Sequence, residues 1–178
     1  LYTKLYFYSI GSRIFLKEEK MPETLKHFKK IIERHRIRSY AETHGDIEKF
    51  IDRVAFSGKY HTDWWLTGPF DNTDLTGLSR IYDPENKFNP EDVFIGKDGK
   101  QVAWQQYDDP SSGYIDLTGI FDPNIYTVAY AYKIIHALEN KKVKFGVGSN
   151  DGVRVWVNDK LVLDRPVSRK AEPNQDIV

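Results

Sequence analysis

The sequence predicts a mainly β fold: an antiparallel β-sandwich preceded by an α-helical segment of about three helices. Three observations carry this expectation. Apolar residues recur at helical spacing before Gly58 and at two-residue spacing after Tyr60. Asn, Asp, Gly and Pro punctuate the second part at short intervals. No helical stretch separates its strands, so they pair antiparallel, as a sandwich or jelly roll. The division expected is residues 1–58 for the helical segment and 59–178 for the sandwich.

In the first part, Leu1, Leu5, Tyr8, Ile10 and Ile14 give a loose helical stripe ending near Lys17-Glu18-Glu19-Lys20. Pro22 suits a first helical turn, and Leu25, Phe28, Ile31 and Ile32 follow at helical spacing. Ser39 with Glu42 three residues on forms a capping box for a third helix through Ile47, Phe50, Ile51 and Val54. Gly11, Thr24, Phe28, Ile31 and Ser39-Tyr40-Ala41 resemble the end of a tetratricopeptide array. One such repeat cannot bury its own apolar face, so the resemblance implies further repeats or packing on the sandwich.

In the second part, Trp64-Trp65-Leu66 reads as a strand that Gly68-Pro69-Phe70 ends at a corner. Residues 71–100 read as a long loop holding one short strand, Val93 to Ile95, and Lys97-Asp98-Gly99-Lys100 as a hairpin turn. Val102, Trp104 and Gln106 then alternate with Ala103, Gln105 and Tyr107. The clearest rhythm runs from Ile125 to Leu163. Val128, Tyr130 and Tyr132 share one face of a long strand, and Ala129, Ala131 and Lys133 the other. Ser149-Asn150-Asp151-Gly152 turns the chain, with a positive φ expected at Gly152, and Asn158-Asp159 turns it again. A further strand begins at Asp176-Ile177-Val178, so the sandwich is expected to lack its final strand here and the natural protein to continue.

Composition narrows the function. Lys plus Arg and Asp plus Glu both number 26, so no net field draws in nucleic acid. The chain has no cysteine, which removes disulfides, thiolate metal sites and a cysteine nucleophile. No apolar run approaches the roughly 18 residues of a membrane span. Aromatics reach 14%, as a β-rich core favours. No Gly-x-Ser-x-Gly elbow, phosphate loop or dinucleotide fingerprint occurs, and the histidines show no metal-ligand spacing. The expectation is therefore a protein that is not itself an enzyme.

Trp65-Leu66-Thr67-Gly68-Pro69-Phe70, Gly113-Tyr114-Ile115-Asp116-Leu117 and the run from Gly148 to Val162 together resemble galactose-binding-like jelly rolls. Such modules include the sugar-binding domains of family 2 glycoside hydrolases. The third piece is also similar to the protective-antigen-type carbohydrate-recognition sandwich. The resemblance implies a non-catalytic carbohydrate-binding module of a larger, multidomain, extracytoplasmic bacterial protein, with sugar and neighbouring domains as partners. A structural or protein-interaction module without a sugar is the alternative, and a catalytic fragment associated with a glycoside hydrolase trails both. The ligand-binding candidates are Asp63, Trp104, Tyr107, Arg154 and Trp156: flat rings for the apolar faces of pyranoses, and charged groups for their hydroxyls. Trp64 and Tyr82 are further candidate rings. Trp156 is either exposed or part of a second buried surface. Asn150 and Asp151 either make their turn or hold calcium, an ion that takes six to eight oxygens. The protective-antigen-type resemblance implies a paired-Asp calcium motif that Asp108-Asp109 imitates.

Overall fold

A computed structural model describes the backbone path of residues 2–9 and 13–18, and residues 60–109, 114–136 and 142–178 with their side chains. The strands are β1 (Tyr2–Ser9), β2 (Arg13–Glu18), β3 (Asp63–Asp71), β4 (Val93–Ile95), β5 (Gln101–Ala103) and β6 (Gln105–Asp108). They continue as β7 (Tyr114–Asp116), β8 (Thr127–His136), β9 (Phe145–Ser149), β10 (Val153–Val157), β11 (Lys160–Arg165) and β12 (Asp176–Ile177). A four-residue helix, α1 (Leu117–Ile120), follows β7 and is capped by the Asp116 carboxylate, which accepts from the Thr118 N–H. A six-stranded sheet runs β11-β10-β1-β8-β3-β6, a four-stranded sheet runs β12-β9-β2-β7, and β4 and β5 form a hairpin. All pairings are antiparallel.

The start of the chain departs from expectation. Residues 2–9 and 13–18 are strands, not the first of three helices. β1 lies between β8 and β10, in register from Tyr2↔His136 to Ser9↔Ala129 on one side, and β2 lies between β7 and β9. The physical reason is in the residue types. Tyr2, Thr3, Tyr6, Phe7 and Tyr8 favour pleated backbone, and an apolar run this short fits either period. The boundary at Gly58 therefore does not separate these strands from the later ones. The second and third expected helices, the capping box and the tetratricopeptide-like residues lie outside the described residues.

The two larger sheets enclose one core. Leu66, Ala129, Ala131, Val153, Val155 and Leu163 from the six-stranded sheet meet Ile115, Phe145 and Val147 from the other. The opposite face of β8 is buried too. Val128, Tyr130 and Tyr132 point into a second, aromatic cluster with Phe70, Tyr82, Phe94 and Trp104. The stretch read as a loop is thus a covering layer. Phe88 stacks on Tyr132 with ring centroids 3.7 Å apart, and Phe94 meets Trp104 edge-on at 6.2 Å. Tyr130 donates its hydroxyl to Glu85 at 2.6 Å, and Tyr82 donates to the Asp71 carbonyl at 2.6 Å. A Lys97 ammonium that donates to the Tyr126 carbonyl at 2.8 Å and lies 3.3 Å from Asp71 fastens the hairpin tip.

The turns hold mostly where expected. Asp98 and Gly99 take φ of 58° and 72°, the left-handed pair of a tight hairpin, and Asn158 and Asp159 do the same at 51° and 65°. Two details differ. β3 does not end at Gly68 but continues to Asp71 through a register shift between Thr67 and Phe70. At the turn after β9, Asp151 and not Gly152 adopts the positive φ, 56°. Gly152 is needed for space: a Cβ there would stand 2.7 Å from Leu78 Cδ1 of the covering layer. The chain's final residues add β12 to the edge of β9, with Asp176↔Val147 and Ile177↔Gly146. The Asp176 carboxylate, buried, meets Arg165 at 2.8 Å and Arg169 at 2.6 Å.

Candidate functional site

Where β3 begins, β6 ends and β8 nears its end, the six-stranded sheet opens into a cleft of about 400 Å³. Its size falls in the range of small-molecule sites. Register explains what lines it. Antiparallel pairing sets Asp63 opposite Asp108, Trp64 opposite Tyr107 and Trp65 opposite Gln106. Trp65 in turn pairs with Tyr132, which brings Lys133 and Ile134 to the same place. Alternation then sorts the side chains. Trp64 belongs to the core between the sheets, and Trp65 packs against the aromatic layer on the other side.

Lys133 is the unusual element. It stands next along the face that buries Ala129 and Ala131, and its side chain is only 9% exposed. A buried ammonium needs an anion and acceptors. Lys133 finds both in Asp63, donating to its carboxylate and, at 2.9 Å, to its carbonyl. The ammonium also lies 5.8 Å from the centre of the Trp64 ring, whose indole N–H donates to the His61 carbonyl at 2.8 Å. Asp63 itself remains 76% exposed, so the pair has a wet end and a dry end. Desolvation pushes the Asp63 carboxyl up, but the hydrogen bond and charge of Lys133 outweigh it and hold the group below its ordinary value. Burial, with the charges of Asp109 and Asp116, raises the Tyr107 hydroxyl, which stays protonated at neutral pH as donor and acceptor.

Of the residues predicted from sequence, Asp63 and Tyr107 come together in this cleft, with the further candidate ring Trp64. Trp104 does not. It is 6% exposed and packed between Phe88 at 5.1 Å and Phe94, with its indole N–H unpartnered among the described residues. Its faces are covered by neighbouring rings, so it serves as core and not as a platform. Tyr82 is likewise buried. Trp156 is half-buried against the aromatic cluster, the second of the two alternatives open for it. Arg154 forms a cross-strand ion pair with Asp164 at 2.9 Å, away from the cleft.

Asn150 and Asp151 sit in the turn between β9 and β10. Asp151 Oδ1 accepts from the Ser168 hydroxyl at 2.9 Å and the Arg169 N–H at 3.2 Å. Those bonds hold the Asp151 carboxylate within the turn, while the Arg169 guanidinium reaches Ser149 and Asp176. Among the described residues no three His, Asp or Glu side chains gather as a metal would require. The Asp108-Asp109 pair does not join them. Val153, just past the turn, aligns through Ser9 with Ala129, whereas Asp108 aligns with the Asp63 end of β3. The two places lie at opposite ends of the sheet.

Lys133, Gln106 and Trp65 are cleft residues that sequence reasoning passed over. The signal for Lys133 was its position closing a run of small residues on a strand whose other face is aromatic. No protein-family model, curated protein or solved structure matches this chain.

Proposed function

We propose that the chain is a non-catalytic carbohydrate-binding-like β-sandwich module of a larger multidomain bacterial protein working outside the cytoplasm. The cleft between β3, β6 and β8 is its ligand site. The galactose-binding-like resemblance of the run from Gly148 to Val162, which spans the end of β9, all of β10 and the start of β11, supports the jelly-roll reading. The observation that carries the functional reading is the pairing of half-buried rings with polar groups in one cleft. Trp65 and Tyr107, from opposite faces of the sheet where it opens, each offer apolar surface for the C–H face of a pyranose. The exposed oxygens of Asp63 accept from neighbouring hydroxyls, and Gln106 and the Tyr107 hydroxyl supply neutral donors and acceptors.

A hydrolytic role fits less well. Glycoside hydrolysis needs one carboxyl group whose pKa is raised so that it can give a proton, and Asp63, held low by Lys133, is not that group.

Calorimetric titration with neutral mono- and oligosaccharides tests the proposal. Binding in the range of about 1 mM or tighter is expected, and it is lost in Tyr107→Ala and weakened in Asp63→Ala. If no sugar binds at roughly ten times that concentration, or if both variants bind as the native chain does, the proposal fails.

A protein-interaction role has one specific observation in its favour. At the other end of the sheet Leu75, Ile125 and Tyr126 are 69%, 66% and 57% exposed. The Asn72 N–H donates to the Tyr126 carbonyl at 3.0 Å and the Leu75 N–H to the Asn72 carbonyl at 3.1 Å, which draws these segments together. Exposed apolar groups so gathered mark association surfaces.

A further inference from the structure

We infer that the cleft selects among sugars by charge: it takes a pyranose carrying a protonated amine in preference to its neutral counterpart, and it turns away uronates. This rests on the cleft being a sugar site and adds what kind of sugar it takes. Three side chains of fixed sign line the cleft, Asp63, Asp108 and Lys133, so two negative charges face one positive. The positive charge is already engaged. Lys133 is nearly buried and spends its protons on the Asp63 carboxylate and carbonyl. It is in no position to turn toward an anionic ligand without leaving its own counter-ion in water.

Asp108 is the uncompensated charge. It is exposed, and it makes no ion pair or side-chain hydrogen bond among the described residues. Register sets it directly opposite Asp63, and like charges directly opposite one another across an antiparallel pair are destabilising. A ligand ammonium beside Asp108 would relieve that repulsion, whereas a ligand carboxylate would deepen it. Trp65 and Tyr107, half-buried in the same cleft, add ring faces that attract a cation and leave an anion without gain. The recognised class is therefore an amino sugar with its amine free, in which the sugar ring lies against Trp65, on the face that register gives to Asp63 and Asp108, and the amine is turned to Asp108.

Glucosamine oligomers, the same oligomers N-acetylated, and glucuronate oligomers are titrated in parallel against the chain at low salt and at 0.5 M salt. The free-amine oligomer is expected to bind about fivefold more tightly than the acetylated one, with glucuronate showing no binding. High salt should shrink that preference, and Asp108→Asn should abolish it. Equal affinity for amine and acetamide, tighter binding of glucuronate, or a preference that survives Asp108→Asn overturns the charge selection and leaves the sugar site standing. Failure of all three oligomers to bind overturns both.

Discussion

Lys133 stands in the sequence as one more polar residue on the far side of a strand, yet it is the residue around which the cleft is arranged. Its ammonium is withdrawn from water and held by Asp63, and that bond keeps Asp63 ionised. The consequence for stability has a definite sign. The Asp63 carboxyl is lowered from its usual 3.8 in the folded chain, so its contribution is present above that value and is lost as pH falls through the lower, folded value. Asp63→Asn should therefore flatten part of the loss of thermal midpoint in acid below about pH 4, measured by circular dichroism at a series of pH values. A variant that loses midpoint as steeply as the native chain would show that the pair has no part in acid unfolding. At the alkaline end the sign reverses. Burial raises the Tyr82 hydroxyl, so its contribution holds below the usual 10.0 and declines as pH climbs past it.

At the scale of elements, β8 is buried on both faces because its two alternating sets do different work. Ala129 and Ala131 are small enough to let the sheets approach, while Val128, Tyr130 and Tyr132 fill the side that the covering layer closes. Phe88 is the point at which that layer grips, stacked on Tyr132 and edge-on to Trp65 and Trp104. Phe88→Ala should lower unfolding free energy by about 2 kcal/mol and shift tryptophan emission toward the red as water reaches the exposed indoles. An unchanged denaturation midpoint would mean that the layer is held by its polar ties instead.

The same scale shows what the sequence could express. Of the run from Ile125 to Leu163, the strands from Thr127 on were legible because strict alternation over consecutive strands fits only one period, and their turns carry the Asn and Asp that tolerate left-handed backbone. β1 and β2 were not legible, because their apolar residues are too crowded to choose a period and their pairing is with strands more than a hundred residues away. Local pattern holds no record of such partners. The covering layer was hidden for a related reason: Tyr82, Phe88 and Phe94 lie far apart along an acidic, turn-rich stretch, and only the sheet beneath collects them. Asp63 and Tyr107 could be singled out as residue types, but that register would set them beside Lys133 depends on three strands meeting.

For the molecule as a whole, the two ends of the six-stranded sheet differ in character. One end carries the polar, aromatic cleft and the other the exposed apolar group of Leu75, Ile125 and Tyr126. Away from the cleft, the buried Asp176 carboxylate holds Arg165 and Arg169, and so ties β12 and the preceding segment to β11 and the turn after β9. Asp176→Asn removes the charge and keeps the shape. It should cost about 2 kcal/mol in chemical denaturation, less than a fully buried pair because Arg165 remains half in water. No change on substitution would mean that backbone pairing alone fixes that segment. The cleft is tested most directly by following the indole N–H signals of the four tryptophans by NMR while a binding oligosaccharide is added. Trp64 and Trp65 are predicted to shift with saturation while Trp104 and Trp156 stay in place. Shifts confined to Trp104 or Trp156, or no shift of Trp64 and Trp65 at saturating sugar, would contradict the account.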